Sequence, residues 1–443
     1  MGASPQRVAI WCEQIDRFYS LKPIVENLKA RGAMVVVHFP DVRWHEMIAT
    51  YLELPRQQVR DMHFGRPRLS RLLGHLSLFL LGNMGSRRFS NMYARIISDL
   101  PLRYRLFRLV TPKFNRSINK VYRAFFKAIT RDVLQTDAVL AVTNMHMPYW
   151  LASFEGRLFT LVESWDHPVK MPFLHSPLKA FIWNFDLSED MSQHQGIKCG
   201  EPIFPLRLRY TVELARSGTS IERLAEQIKD VATCSHVNML LKHEWVTYVC
   251  SSSSSNWRVF PEELRIMKAI AEWGDTNGHR IYFKPKPNSK KGDLDFLKAY
   301  SCASIGLDGT GSGEQMLDDQ YHIYRFLLLK KSKLVINFAT TFGLESAIVG
   351  CPILQVVPSE FHKFKEFYGL SNNPHLRKYF YSSPNCFEYT EASLDIPKFL
   401  NSIFKRNDDR PQKYSQSLQK WIQNTLTLEK SIKVISDALC DRL

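Results

Sequence analysis

Three stretches near the start, "RVAIWC" (7–12), "LKPIVENLKARG" (21–32) and "AMVVVHF" (33–39), restrict the fold more than anything else in the chain. The first and third are apolar, the third strongly β-branched, and neither alternates with polar residues. As strands they would therefore be covered on both faces. The middle stretch carries apolar residues at helical spacing and stops at Gly32. Two strands joined through a helix pair in parallel, because the helix returns the chain to the edge it started from.

The same alternation recurs along the chain. "DAVLAVTN" (137–144), "RLFTLVESW" (157–165) and "AFIWNFD" (180–186) read as further strands of a first half. It restarts with "WVTYVC" (245–250), a helix within 261–273, "RIYFKPKP" (280–287), a helical "QYHIYRFLLLKKS" (320–332) and "LVINFATTFGLESAIVGCPIL" (334–354). At 443 residues the chain exceeds what one core usually supports. The fold class expected is α/β, with two Rossmann-like doubly wound domains facing a cleft. Their boundaries are 1–205 for the first domain, 206–243 for a linking helix region and 244–412 for the second. The tail, 413–443, reads as one long amphipathic helix that crosses back to the first domain.

Charge is unevenly spread. The formal net charge is +16, and residues 56–131 hold seventeen Lys and Arg against two acids, Asp61 and Asp99. The same stretch contains "RLLGHLSLFLLGNMG", too short to span a bilayer but suited to lie along an anionic one among Arg66, Arg68, Arg71, Arg87 and Arg88. The alternative is a buried helix beside a solvated basic face. Eight scattered cysteines with no Cys-x-x-Cys pair argue for free thiols and against a disulfide scaffold or structural zinc. No charged head followed by an apolar core opens the chain, so no secretory leader is expected. The localisation expected is cytoplasmic, at the inner face of the membrane.

Ligands of doubly wound sheets bind beyond the carboxyl ends of the strands. In the second half those ends carry groups suited to phosphate. Ser251 and Ser252 open a run of five serines ahead of a helix. Lys284 and Lys286 alternate with Pro285 and Pro287, which fix the backbone. Thr340 and Thr341 open the helix after 334–338, where hydroxyls cap a helix or bind phosphate, and Glu345 in its first turn could meet the helix dipole or a ribose diol. In the first half Glu13, with Asp16 nearby, and Asp166, with Glu163 and His167 beside it, follow strands and are candidate general bases. Asp166 and Glu13 rank together, ahead of His167.

With those residues in view, "LVINFATTFGLESAIVGCPIL" resembles the donor-domain segment of GT-B glycosyltransferases, where a strand, small hydroxyl residues and a Glu-bearing helix ending in Gly-x-Pro contact the nucleotide sugar. "YVCSSSS", "YFKPKP" and "VESWDHPVKMP" with "FIWN" resemble blocks of bacterial surface-polysaccharide transferases of this fold. That wider group includes CDP-glycerol glycerophosphotransferases and sialyl- and Kdo-transferases. The likeness covers roughly 137–205 and 245–400. Where relatives often carry a histidine in Lys-Pro-His-Pro, this chain has Lys286, which cannot do imidazole chemistry near neutral pH.

The resemblance implies a metal-independent glycosyltransferase. Its donor would be a nucleotide sugar and its acceptor a hydroxyl of a lipid-linked or anionic cell-surface glycan, as in lipopolysaccharide or capsule synthesis. No metal ligands and no cofactor beyond the donor are expected. "DLD" (293–295) reads as a helix start, and "GTGSG" (309–313) lacks a preceding strand. A UDP-sugar 2-epimerase shares the architecture, although "WCEQIDR" replaces the Gly-Thr-Arg-Pro-Glu expected of one. A nucleic-acid binder is the third reading, from the interleaved arginines and aromatics of 103–129. Ile118, Val121, Phe125 and Ile129 share one helical face there, which favours packing over base stacking.

Overall fold

A computed structural model describes residues 5–62, 136–142, 156–163, 179–183, 187–188, 199–250, 260–286, 289, 292–307, 314–338, 340–358, 383–423 and 425–441. The basic stretch beyond Met62, the serine run with Ser251 and Ser252, the 309–313 glycines, Asp166 and His167 lie outside them.

The first elements are β1 (Arg7–Trp11), α1 (Phe18–Ala30), β2 (Met34–Phe39), α2 (His45–Leu52) and β3 (Val59–Asp61). Strands β4 (Ala138–Val142), β5 (Arg157–Leu161) and β6 (Lys179–Phe181) follow. Next come α3 (Arg209–Arg216), α4 (Ile221–Glu226), α5 (Val231–Leu241), β7 (Trp245–Val249), α6 (Phe260–Asn277), β8 (Ile281–Lys284) and β9 (Ala303–Ile305). The chain continues through α7 (Asp319–Lys330), β10 (Ser332–Asn337), α8 (Thr341–Val349), β11 (Ile353–Pro358) and β12 (Phe387–Tyr389). It ends in α9 (Ala392–Arg406), α10 (Arg410–Gln423) and α11 (Leu428–Cys440).

Among the described residues the strands form two six-stranded sheets, ordered β3-β2-β1-β4-β5-β6 and β12-β11-β10-β7-β8-β9. Every neighbouring pair is parallel. Renumbered within its own half, the second sheet repeats the order of the first, so each is a doubly wound Rossmann-like sheet. The order reverses between β1 and β4 in one sheet and between β7 and β10 in the other. Those switch points are where the fold leaves a crevice. The continuous apolar runs are explained by burial on both faces: β4 and β7 are buried at every position.

The chain divides into two compact units. One ends at Leu206 and resumes at Thr425; the other begins at Arg207. Residues 206–243, expected as a linking helix region with one amphipathic helix over "ELARSGTSIERLAEQIKDVATC", form α3, α4 and α5, which pack on α7 and α8 within the second unit. The breaks are local. Gly218 takes φ +64°, the Ser220 hydroxyl accepts the Arg223 N–H to start α4, and the Asp230 carboxylate accepts the Thr233 N–H at 2.8 Å to start α5.

The tail differs from expectation in the same way. It is two helices, because the Thr427 side chain accepts the Lys430 N–H and starts a new one. Helix α10 packs on α8 and β11 of the second unit, and α11 packs on α1 and β4 of the first. Ile435 and Leu439 are fully buried there. The side chains of Gln6 and Arg157 each donate to the Leu439 carbonyl at 3.0 Å, and Arg157 also reaches the Ala438 carbonyl at 3.3 Å. These bonds satisfy carbonyls that the end of a helix leaves without intrahelical partners.

Candidate functional site

In the second unit the site grows from the carboxyl ends of β8 and β10. Strand β8 ends on Lys284, whose side chain the sheet and the helices beside it enclose: the residue is 4% exposed. Among the described residues its ammonium makes one long hydrogen bond, to the Pro285 carbonyl at 3.4 Å, and it sits 4.9 Å from the centre of the Phe342 ring. Burial lowers its pKa from 10.5, and the nearby Arg325 charge adds to that. Tyr321, Glu345 and Cys250 act in the opposite sense. A buried cation so sparsely satisfied is costly unless an anion meets it.

Strand β10 ends on Asn337, which is fully buried. Its Oδ1 accepts two hydrogen bonds from Thr340, from the backbone N–H at 3.1 Å and from the hydroxyl at 2.6 Å. Its Nδ2 donates to Gln355 Oε1 on β11 at 2.9 Å. Thr340 thus occupies the N-cap position of α8 but directs its only proton backwards, and no side chain caps the helix. Lys284 lies against the ring of Phe342, a residue of the same uncapped first turn. A helix start of this kind favours an anion.

Gly343 allows the corner to close. A Cβ at this position would stand 2.5 Å from Asn337 Nδ2, so only glycine lets α8 approach the end of β10 so closely.

Glu345 sits one turn deeper than expected, as the fifth residue of α8, and is 3% exposed. It forms an ion pair with Arg325 of α7, and the Thr211 hydroxyl of α3 approaches its other oxygen at 3.5 Å. Arg325 is itself buried, with its Nη1 donating to the Met316 sulfur at 3.1 Å and its guanidinium 5.5 Å from the Phe342 ring. Thr341 is half-buried at the first helical position. Lys286 is exposed, and its carbonyl accepts the Ser289 N–H at 2.8 Å. The structure therefore brings Lys284, the Thr340–Thr341 corner and Glu345 into one neighbourhood. It adds three residues the sequence reading passed over: Asn337, Phe342 and Arg325. Asn337 carried a signal, as a polar residue ending an apolar strand. Arg325 carried none, because it reads as one polar residue of an amphipathic helix.

In the first unit, Glu13 follows the end of β1 and is half-buried. Cys12 beside it is buried, with its thiol pushed up by that burial. Asp16 and Arg17 lie in the short turn that leads into α1, their charged groups 3.9 Å apart. Arg17 Nε donates to Gln14 Oε1 at 2.9 Å. Glu163, two residues past β5, is 5% exposed and shares a 2.8 Å hydrogen bond with the Ser20 hydroxyl of α1. The charges of Arg17, Asp16 and Glu163 all reach the Cys12 thiol, so carboxylates from β1 and β5 gather on one side of this sheet. Of the candidate bases, Glu13 follows Cys12 in the chain, while Asp166 and His167 fall outside the described residues.

No protein-family model matches the chain, and no curated protein matches it in sequence. Solved structures match it along nearly its whole length. The UDP-GlcNAc 2-epimerase of Methanocaldococcus jannaschii, in complex with UDP-GlcNAc and UDP, superposes with a TM-score of 0.55 at 12% identity, covering 97% of this chain and 98% of that one. The UDP-GlcNAc 2-epimerase of Neisseria meningitidis, bound to UDP-GlcNAc, gives 0.54 at 11% identity, covering 98% and 99%. The S. aureus MnaA–UDP co-structure gives 0.52 at 8%, covering 98% and 95%. At such identity the likeness is one of fold. Two parallel six-stranded sheets, each with helices packed against it, make this a GT-B fold of two Rossmann-like domains, the architecture of glycosyltransferases and UDP-GlcNAc 2-epimerases.

Proposed function

We propose that the chain is a nucleotide-sugar-dependent glycosyltransferase. It moves a sugar to a hydroxyl of a lipid-linked or anionic cell-surface glycan, without a bound metal. The observation that carries the reading is the buried ammonium of Lys284, with a single 3.4 Å hydrogen bond among the described residues, beside the uncapped head of α8. Glycosyl transfer requires stabilisation of a departing nucleotide phosphate. A desolvated cation and a fixed row of amides do this electrostatically, with little reorganisation as charge develops. Lys284 and the first turn of α8 hold the phosphates; Lys286, Ser251 and Ser252 extend that contact. The acceptor hydroxyl loses its proton to a carboxylate of the first unit, Glu13 or Asp166, with His167 as the further candidate. The basic 56–131 stretch holds the enzyme against an anionic membrane and its acceptor.

A panel of UDP-, GDP-, dTDP- and CMP-sugars tests donor binding by thermal shift. A ligand present at a hundredfold its Kd stabilises the folded chain by about 2.7 kcal/mol. At least one nucleotide sugar should raise the melting temperature of the wild type, and Lys284→Met should abolish the rise. If every one leaves it unchanged, the reading is wrong.

A second reading, a UDP-sugar 2-epimerase, is favoured by the likeness to the two epimerases above. The sequence "WCEQIDR" after β1 weighs against it. Incubating the stabilising nucleotide sugar without acceptor separates the two, since an epimerase converts it and a transferase does not.

A further inference from the structure

Two buried cations and one buried carboxylate meet beside the head of α8. Lys284 is 4% exposed, Arg325 8% and Glu345 3%. Both cations approach the same Phe342 ring, Lys284 at 4.9 Å and Arg325 at 5.5 Å, and the Glu345 charge bears on Lys284 as well. Arg325 holds the carboxylate: its Nη2 donates to Glu345 Oε1, while Lys284 is left with the Pro285 carbonyl at 3.4 Å. The helices fix this choice. Arg325 projects from the second turn of α7 and Glu345 from the second turn of α8, and these helices pack directly on one another. Thr211 on α3 lies 3.5 Å from the other carboxylate oxygen. A planar guanidinium holds a carboxylate in a fixed geometry, which an ammonium on a flexible stem does not.

We propose that Arg325 is a positioning residue: it sequesters Glu345 and thereby keeps Lys284 unneutralised for an incoming phosphate. The inference rests on the anion-site reading given above and assigns Arg325 and Glu345 their parts in it. Glu345 is then the internal competitor for Lys284, and Arg325 restrains that competitor. The charged and titratable groups that bear on Lys284 fit this arrangement. They are Tyr321 and Arg325 on α7, Glu345 on α8 and Cys250 at the end of β7, and of these Arg325 opposes the ammonium charge. Removing Arg325 leaves a buried carboxylate without its cation, and Lys284 is the remaining cation at the same ring. A new Lys284–Glu345 pair would fill the place the ligand needs.

Inorganic pyrophosphate is the probe, because it offers phosphate oxygens and no ribose diol for Glu345 to bind. Titration calorimetry on the full chain compares the wild type with Arg325→Met, Glu345→Gln and the double variant. Arg325→Met should weaken pyrophosphate binding about tenfold or more, the scale of one charged hydrogen bond, although neither Lys284 nor α8 has been altered. Adding Glu345→Gln to Arg325→Met removes the competitor and should restore most of the affinity. Glu345→Gln alone should bind pyrophosphate more tightly than the wild type. This variant also decides the matter should Arg325→Met fail to fold. Wild-type affinity in Arg325→Met, no recovery in the double variant, or weakened binding in Glu345→Gln each overturns the proposal. Wild-type protein that binds neither pyrophosphate nor any nucleotide sugar overturns the anion-site reading itself, and with it this inference. A wild type that binds while the variants depart from this order overturns the inference alone.

Discussion

Replacing Gly343 by alanine should destabilise the second unit, against the usual trend for helices. Within a helix that exchange ordinarily gains up to about 1 kcal/mol, because glycine is the more flexible residue in the unfolded chain. Here the added Cβ would stand 2.5 Å from Asn337 Nδ2 and 3.0 Å from its Cγ. The Asn337 side chain cannot simply swing aside. It is fully buried, donates to Gln355 at 2.9 Å and accepts twice from Thr340. Either the helix shifts, at the ~1–3 kcal/mol typical of overpacking, or the amide turns and strands buried polar groups at ~1–3 kcal/mol each. After the propensity gain is subtracted, a net loss of about 1 kcal/mol is expected. For a unit of this size that lowers Tm by about 2–4 °C. Thermal and urea unfolding measure it, and Asn337→Ala supplies the control. In that background the obstacle is gone, so Gly343→Ala should be neutral or stabilising, giving a coupling of about 2 kcal/mol. A Gly343→Ala protein as stable as the wild type, or the same loss with and without Asn337, would refute the account of the corner.

The pH dependence of stability supplies two more tests. Lys284 has its pKa lowered in the folded state, so the folded chain carries a penalty below that pKa. The penalty is relieved as pH rises toward the unfolded value of 10.5, because across that interval the unfolded chain binds the extra proton. Wild-type stability should therefore gain an alkaline rise that Lys284→Met lacks, the variant being no less stable than the wild type at neutral pH; a matching rise in both proteins would contradict this. In the first unit His38 is fully buried and stacked on Trp11 at 4.5 Å, and its pKa is lowered to about 3, first by burial and then by Arg60 and His45. Protonation of the unfolded chain then removes stability as pH falls from 6.5 toward 3, by ~1.4 kcal/mol per pH unit for this one group. His38→Phe keeps a ring against Trp11 and should flatten that acid limb in urea melts taken between pH 7 and 4; an unchanged slope would remove His38 as its source.

Much of the architecture was legible because it is written in local periods. Apolar runs without alternation at 7–12, 137–144 and 245–250 mark strands covered on both faces, and strand–helix–strand spacing forces parallel pairing. The short edge strands β3, β9 and β12 escaped notice, since three residues carry no readable period. The helix breaks near Ser220, Asp230 and Thr427 were visible as capping residues. An amphipathic pattern nevertheless runs on across each break.

The amino-acid sequence by itself determined the two doubly wound halves and where a lysine, two threonines and a glutamate would sit along them. Tertiary structure alone decided what those groups do. It turned Thr340 back onto Asn337, gave Glu345 to Arg325 twenty residues upstream and left Lys284 buried with one long hydrogen bond. The reason is physical: periodicity along one element says which face is buried, but not which element covers it. Hydrogen-bond partners and pKa values belong to that covering.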